Sequence, residues 1–528
     1  MSRRQSKHRN MGRLAPFLAL LLWISVSGCG GSGGSSAPSS PAPFNSAKGE
    51  GHLISNQLVV TYPTATTTQP GLDSVYTQAI CPDSISPQDC TTNENSLNTP
   101  AFGNFNVNAD PIANNPLGIK LVDALKIDYT AINVDQAAVK VSGGILVPEL
   151  AAKSLKGMIL YFHPTTVQRT NVPSNFMTPT NTTDPNLEGI LFAAVWASQG
   201  YVVVMPDYVG LGDDTTHVHP YVVYPAQNAQ SGLAMVKAAR SALASTYDIT
   251  GRLPLYVTGY SEGGAYALEA AHLMQNNSRY ASTLKVKLKI DAPMSGFYDV
   301  SDTGLSYLFD NITATNNNWF SLNPVLSAIS KPYLFADVAL SFANYSGIAP
   351  TDILAGMFYT CSAGYPNDPC GASGNLDGLY YTATQTPHWG ETVVSIAVSQ
   401  AVNTGWGPLS NAITPLLTST YAEALMSKDQ SNPLYQQILA SDTYLFVPKF
   451  PVTLVSLMED SIVTRKNSDV AFAYFTQQNP SGPYHEDLVD NNNFLVFSAL
   501  SGSTGPVDHS TQLPFLSVLV LNQFNTTP

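Results

Sequence analysis

Between an apolar run and a helix-forming run the chain reads Gly259-Tyr260-Ser261-Glu262-Gly263-Gly264. A serine on so sharp a strand-to-helix turn is forced into a strained backbone, and only glycine two before and two after leaves room for it. Such a serine presents its hydroxyl as a nucleophile if a base stands beside it. The pattern alone is weak: composition gives about 0.25 chance matches in a chain of this kind, and Gly30-Gly31-Ser32-Gly33-Gly34 also fits. That second match has no strand before it, so context selects Ser261.

Two downstream residues complete a possible relay. Asp460 ends the strand-like VTLVSLME, and His509 follows the strand-like FLVFSAL and the turn SGSTGPVD. His509 is expected to take the Ser261 proton and later protonate a leaving group, with Asp460 fixing its tautomer. Glu459 is the rival acid and Asp508 a more distant one. Of the other histidines, His52, His217, His219, His272, His388 and His485 read as ordinary residues, while His163 ends a strand and opens the loop His163-Pro164-Thr165-Thr166. An oxyanion would be met by the Glu262 backbone N–H and by a second donor in that loop. Pro164 has no N–H, so Thr165 is the favoured donor of that loop. Asp207 and the turn Tyr208 to Gly212 read as shaping the rim.

The elements around these residues alternate. ALKIDYTAINVD and AVKVSGGILVP look like paired strands. GMILYFH and YVVVMPDY are short continuous apolar runs, the pattern of strands buried on both faces. Helical segments lie between and after them, as in GILFAAVWASQG and SGLAMVKAARSALAST, so a mostly parallel sheet wrapped by helices is expected. The alternation stops near Phe297 and resumes with FPVTLVSLMED at Phe450. The predicted organisation is therefore a core of residues 124–296 and 450–528 interrupted by a mainly helical insertion, 297–449, acting as a cap. Residues 52–123 are expected to be an N-terminal extension packed on that core. The aromatic stretches YLFADVALSFANY and GLYYTATQTPHWG either line an apolar pocket or form the core of the insertion.

TGYSEGGAYAL, YVVVMPDYVGLGDD with His219-Pro220-Tyr221, PVTLVSLMEDSIV and VDHSTQLPFL together resemble the secreted lipase and esterase branch of the α/β-hydrolase family, from about Ala124 to the C-terminus. That family's order is nucleophile, acid, histidine, which Ser261, Asp460 and His509 follow. The resemblance implies an α/β-hydrolase fold, a Ser-His-Asp triad, an acyl-enzyme intermediate on an ester substrate and no cofactor. Relatives commonly carry His-Gly where this chain has His163-Pro164, and His-Gly where it has Leu457-Met458. A peptidase or amidase on the same fold is the alternative enzyme, and a catalytically inactive surface-binding protein the alternative of another class.

The N-terminus reads as an address. Arg3, Arg4, Lys7, Arg9 and Arg13 precede the apolar run Leu14 to Gly28, which ends Val26-Ser27-Gly28-Cys29. This resembles a bacterial lipoprotein signal, 1–28, with Cys29 as the lipidated residue, 29–51 as a flexible Gly/Ser/Pro tether and Gly30 resembling the outer-membrane sorting default. A plain secretory peptide is the alternative. Without residues 1–28 the chain has 19 basic and 37 acidic residues, a net of −18. Nucleic acid and anionic lipid are poor partners for such a charge, so membrane contact is expected only through the anchor. Cys81 with Cys90, and Cys361 with Cys370, are both nine apart in loop-like sequence. In an exported chain two local disulfides are the natural pairing, each worth about 2.5–3 kcal/mol. The absence of CxxC spacing speaks against a metal site.

Overall fold

The computed structural model describes residues 48–65, 71–105, 117–166, 169–181, 185–309, 324–353, 417–498 and 503–527. Cys29, the signal and most of the tether, Cys361, Cys370 and the stretch GLYYTATQTPHWG lie outside the described residues.

One nine-stranded sheet organises the molecule. Its strands are β1 (Leu53–Pro63), β2 (Leu121–Ile132), β3 (Ala138–Pro148), β4 (Gly157–Phe162), β5 (Tyr201–Pro206), β6 (Leu253–Gly259), β7 (Val286–Asp291), β8 (Val452–Leu457) and β9 (Tyr484–Val489). In space they run β1-β2-β3-β5-β4-β6-β7-β8-β9. The first three form an antiparallel ribbon joined antiparallel to β5, and from β5 to β9 all neighbours are parallel. The apolar runs of β4 and β5 are buried at every position. Ile159 and Tyr161 of β4 face one apolar cluster while Met158, Leu160 and Phe162 face the other, which is why these strands do not alternate in sequence.

Helices cover both faces. α1 (Leu72–Ile80), α3 (Leu187–Val195) and the terminal helix Leu513–Thr526 pack on the first cluster. α4 (Pro225–Tyr247) and α5 (Glu262–Asn276) pack on the second. Between α1 and β2, α2 (Pro87–Leu97) is capped by Ser86 and Asp89 and tied to the far end of the chain, Asn93 Nδ2 donating to the Leu495 carbonyl at 2.8 Å. Cys81 and Cys90 are bonded across the α1–α2 turn.

Two parts of the sequence reading need correction. β1 is more than an extension packed on the core: it pairs antiparallel with β2 through two register shifts and so belongs to the sheet, and the expected boundary at Ala124 falls inside β2. FLVFSAL does not supply the last strand of the main sheet. Leu495–Ser498 pairs with Ser503–Pro506 in a separate two-stranded ribbon, and the sheet ends on β9, sequence YHEDLV. As an edge strand with one neighbour β9 carries His485, Glu486 and Asp487 at half of its positions, so no apolar run marks it.

Residues between β7 and β8 include helices at Pro324–Ser346, Ser419–Met426 and Pro433–Leu439. Leu334, Phe335, Val338 and Phe342 of the first meet Tyr421, Leu434 and Ile438 of the others in one apolar cluster. Of the two aromatic stretches, the described side chains of YLFADVALSFANY thus belong largely to the core of the insertion. The same cluster takes in Tyr221 to Tyr224 and Ile462 and Val463, which lie beside the residues described next.

Candidate active site

β6 runs straight into α5, and Ser261 stands at the junction with φ +58° and ψ −120°. No regular element explains a positive φ in serine, so the turn must be over-determined by its surroundings. The glycines show how. A Cβ on Gly259 would stand 2.0 Å from the Gly263 carbonyl oxygen, and one on Gly263 would stand 2.0 Å from the Phe162 carbonyl oxygen. These are backbone atoms that cannot swing aside. Backbone bonds lock the turn further, Ser261 N–H donating to the Met294 carbonyl and Gly264 N–H to the Ser261 carbonyl, each at 2.9 Å.

His509 lies in a short turn after the two-stranded ribbon, before the terminal helix. Its Nε2 is 2.9 Å from Ser261 Oγ and its Nδ1 is 2.8 Å from Asp460 Oδ2. All three residues are buried, Asp460 at 1% exposure. Asp460 Oδ1 accepts from the N–H groups of Ile462 and Val463 at 2.9 and 2.8 Å, and Oδ2 accepts from Gln512 Nε2 at 3.0 Å as well as from His509. With the carboxylate an acceptor only, His509 Nδ1 must carry the proton, leaving Nε2 free to accept from the serine. The chemical capacity of this line is proton transfer from Ser261 to His509, with the resulting imidazolium facing a fixed carboxylate.

The rival acids stand elsewhere. Glu459 N–H donates to Asn491 Oδ1 at 3.0 Å and its carbonyl accepts from Asn491 Nδ2 at 2.7 Å, while His509 Nδ1 faces Asp460. Asp508 accepts from Ser461 Oγ at 2.6 Å, from Ser461 N–H at 3.1 Å and from His509 N–H at 2.7 Å. It holds the main chain of both loops. Burial, then the nearby Asp460 charge, raises its carboxyl above the ordinary range.

On the other side of Ser261, α5 docks its first turn on the end of β4, as the Gly263 contact with Phe162 requires. This sets the first turn of α5 beside the start of the loop 163–166, a Cβ on Gly263 standing 2.7 Å from the His163 carbonyl oxygen; the Glu262 N–H, as the first of its helix, has no acceptor within it. Thr165 Oγ1 is 3.0 Å from the Tyr221 hydroxyl. His163 is buried, with Nδ1 2.7 Å from the Pro164 carbonyl and its ring stacked on Tyr208 at 4.0 Å between centroids. Burial pushes its imidazole down to about 4, so it is neutral near pH 7. Asp207 belongs to the scaffold: it accepts from Ser142 Oγ and Ser174 Oγ, and burial pushes its carboxyl up to about 6.

Three side chains to which the sequence reading gives no role support the site. Gln512 donates to Asp460 and accepts from Ser295 Oγ at 3.1 Å. Tyr260 lays its ring on His509, 5.1 Å between centroids, and donates its hydroxyl to the His509 carbonyl. His219, read as ordinary, is buried with Nε2 2.7 Å from Glu262 Oε1. Gln512 carries a signal in its place three residues after His509 on the same turn, and His219 in the His219-Pro220-Tyr221 motif, which does not show its partner.

Residues 174–297, the stretch that contains the elbow, match the family model for secretory lipase. Among solved structures, the rice cell wall degrading esterase LipA from Xanthomonas oryzae is 19% identical, with 91% of this chain and 100% of that one covered and a TM-score of 0.59. A candidate hydrolase from Legionella pneumophila is 18% identical over 90% of this chain and 98% of its own, with a TM-score of 0.57. At such identity these likenesses establish the shared fold, a mostly parallel α/β-hydrolase sheet flanked by helices. No curated protein sequence matches the chain.

Proposed function

From the premise that the chain is a carboxylic ester hydrolase of the secreted lipase and esterase type, we propose that it works through a Ser261-His509-Asp460 triad and an acyl-enzyme. Ser261 Oγ attacks the ester carbonyl carbon as its proton passes to His509 Nε2. The carbonyl π electrons move to oxygen, and the oxyanion is met by the backbone N–H groups of Glu262 and Thr165. Collapse breaks the ester C–O bond, His509 returns its proton to the alcohol, and a water activated by the same imidazole then releases the acid and restores Ser261. One observation carries this reading: a serine held at positive φ in a continuous line, 2.9 Å to His509 and 2.8 Å onward to Asp460.

The helical insertion, 297–449, acts in this reading as a cap. Its support is the Tyr307 hydroxyl donating to the Ser461 carbonyl at 3.0 Å and the apolar cluster shared with Ile462 and Val463, next to the acid. Cys29 would carry the lipid that fixes the exported enzyme to the cell envelope, with the tether between. No described helix is long and apolar enough to cross a membrane.

The test is hydrolysis of nitrophenyl esters from acetate to palmitate. Ser261→Ala should lower kcat at least about 10⁴-fold with the far-ultraviolet circular dichroism unchanged. Comparable turnover in that variant refutes the mechanism, and cleavage of anilides alone would favour an amidase. For the anchor, Cys29→Ala should move the protein from membrane to soluble fraction; continued membrane association would show that Cys29 is not the attachment point.

A further inference from the structure

Glu262 follows the nucleophile, and its side chain is as buried as its backbone is exposed to the chemistry. A glutamate in the first turn of a helix gains from the helix dipole, yet an exposed one would gain as much without losing hydration. Here the residue is 1% exposed. Its Oε1 lies 2.7 Å from His219 Nε2 and accepts from the Tyr266 hydroxyl at 2.5 Å. Both partners are themselves committed. His219 Nδ1 is 3.1 Å from the Val209 carbonyl, which can only accept, so that nitrogen carries a proton. The Tyr266 hydroxyl accepts from Val222 N–H at 2.9 Å, which leaves its own proton for Glu262.

Glu262 is therefore tied to two elements at once, the loop 208–222 and the second turn of α5. The His219 ring also lies nearly parallel to that of Tyr208, 5.2 Å between centroids and 9° between planes, and Tyr208 in turn stacks on His163. Through these rings the tie reaches the loop that carries Thr165. A strained residue such as Ser261 relaxes unless its neighbours hold it, and relaxation there rotates the Ser261–Glu262 peptide plane. That plane carries the Glu262 N–H.

We propose that His219, Glu262 and Tyr266 form a positioning clamp that keeps the Glu262 backbone N–H aimed at the oxyanion during acyl transfer. The proposal rests on the esterase reading above. The three side chains are positioning residues, acting through a backbone donor and not on substrate. A clamp of this kind stabilises the transition state more than the bound ester, so its loss should fall on kcat and spare KM.

The test compares variants of the whole protein on a nitrophenyl butyrate assay and on inhibition by an alkyl trifluoromethyl ketone, which adds to a serine and places an oxyanion in the same site. Glu262→Ala should lower kcat about 10- to 100-fold with KM within about threefold, and raise the ketone Ki by the factor lost in kcat/KM. Glu262→Gln keeps an acceptor for the Tyr266 hydroxyl and a polar amide to pair with His219 Nε2, and should recover to within about fivefold of the parent. Tyr266→Phe, which keeps the ring and removes one donor, should cost about three- to tenfold; it tests the same bond if Glu262→Ala fails to fold. Equal rates in the Ala and Gln variants, an unchanged ketone Ki beside a fallen kcat, or parental rates throughout would overturn the clamp. Those outcomes leave the reaction itself standing so long as Ser261→Ala is inactive; residual turnover in Ser261→Ala would remove the reading beneath it.

Discussion

The two arms of the site are held by different physics. The elbow that carries Ser261 is fixed by exclusion: no side chain fits at Gly259 or Gly263, and the strained turn is the one path left between β6 and α5. The Asp460 and His509 arm sits on two loops with no such constriction. It is fixed by attraction, through four bonds to the Asp460 carboxylate and through Asp508 bridging the Ser461 and His509 main chains. Exclusion demands particular residue types at particular spacings, whereas attraction can be met by many polar residues in many places. The first arm should therefore break when atoms are added and the second when atoms are taken away.

Adding one methyl group tests the first half of that contrast and should give the largest effect. In Gly263→Ala the new Cβ meets the carbonyl oxygens of Phe162 and His163 at 2.0 and 2.7 Å, both main-chain atoms at the end of a buried central strand. Relief requires α5 to lift from β4, so stability should fall by at least about 3 kcal/mol. Urea unfolding measures it. A loss below about 1 kcal/mol would mean that the elbow yields easily and that its glycines are there for some other reason.

The same contrast explains what is legible in the sequence. Gly259 and Gly263 stand out around Ser261 because sterics permits no side chain at either. The β4 and β5 runs stand out because strands buried on both faces must be apolar throughout. Asp460 and His509 were reachable only through chain order, since nothing local distinguishes Asp460 from Glu459 or Asp508; the distinction is made by Ile462, Val463 and Gln512. β9 was missed because an edge strand need not be apolar. The pairing of β1 with β2 is hidden in the sequence by the long polar stretch between them. His219 was passed over for a related reason: its partner Glu262 is 43 residues away, and no period or motif links a loop histidine to a helix N-terminus. Cys81 and Cys90, by contrast, are bonded as their spacing suggested, a local pairing that needs no long-range knowledge.

Taking atoms away from the second arm should give a smaller and more selective effect. Gln512 has its Nε2 3.0 Å from Asp460 Oδ2 and 3.2 Å from the Tyr260 hydroxyl, while its Oε1 accepts from Ser295 Oγ. Gln512→Leu keeps the volume and removes the donor, so Asp460 Oδ2 is left with His509 as its one side-chain partner. The carboxylate can then rotate about its remaining backbone bonds, and the imidazole loses part of its alignment with Ser261. We expect kcat to fall about tenfold with KM within about twofold, and stability to drop by about 1–2 kcal/mol for the orphaned Ser295 hydroxyl and the bond lost from Asp460. If kcat is unchanged, the N–H groups of Ile462 and Val463 suffice to hold the acid. The arm would then be held by its backbone just as the elbow is, and the division between exclusion and attraction would fail at this residue.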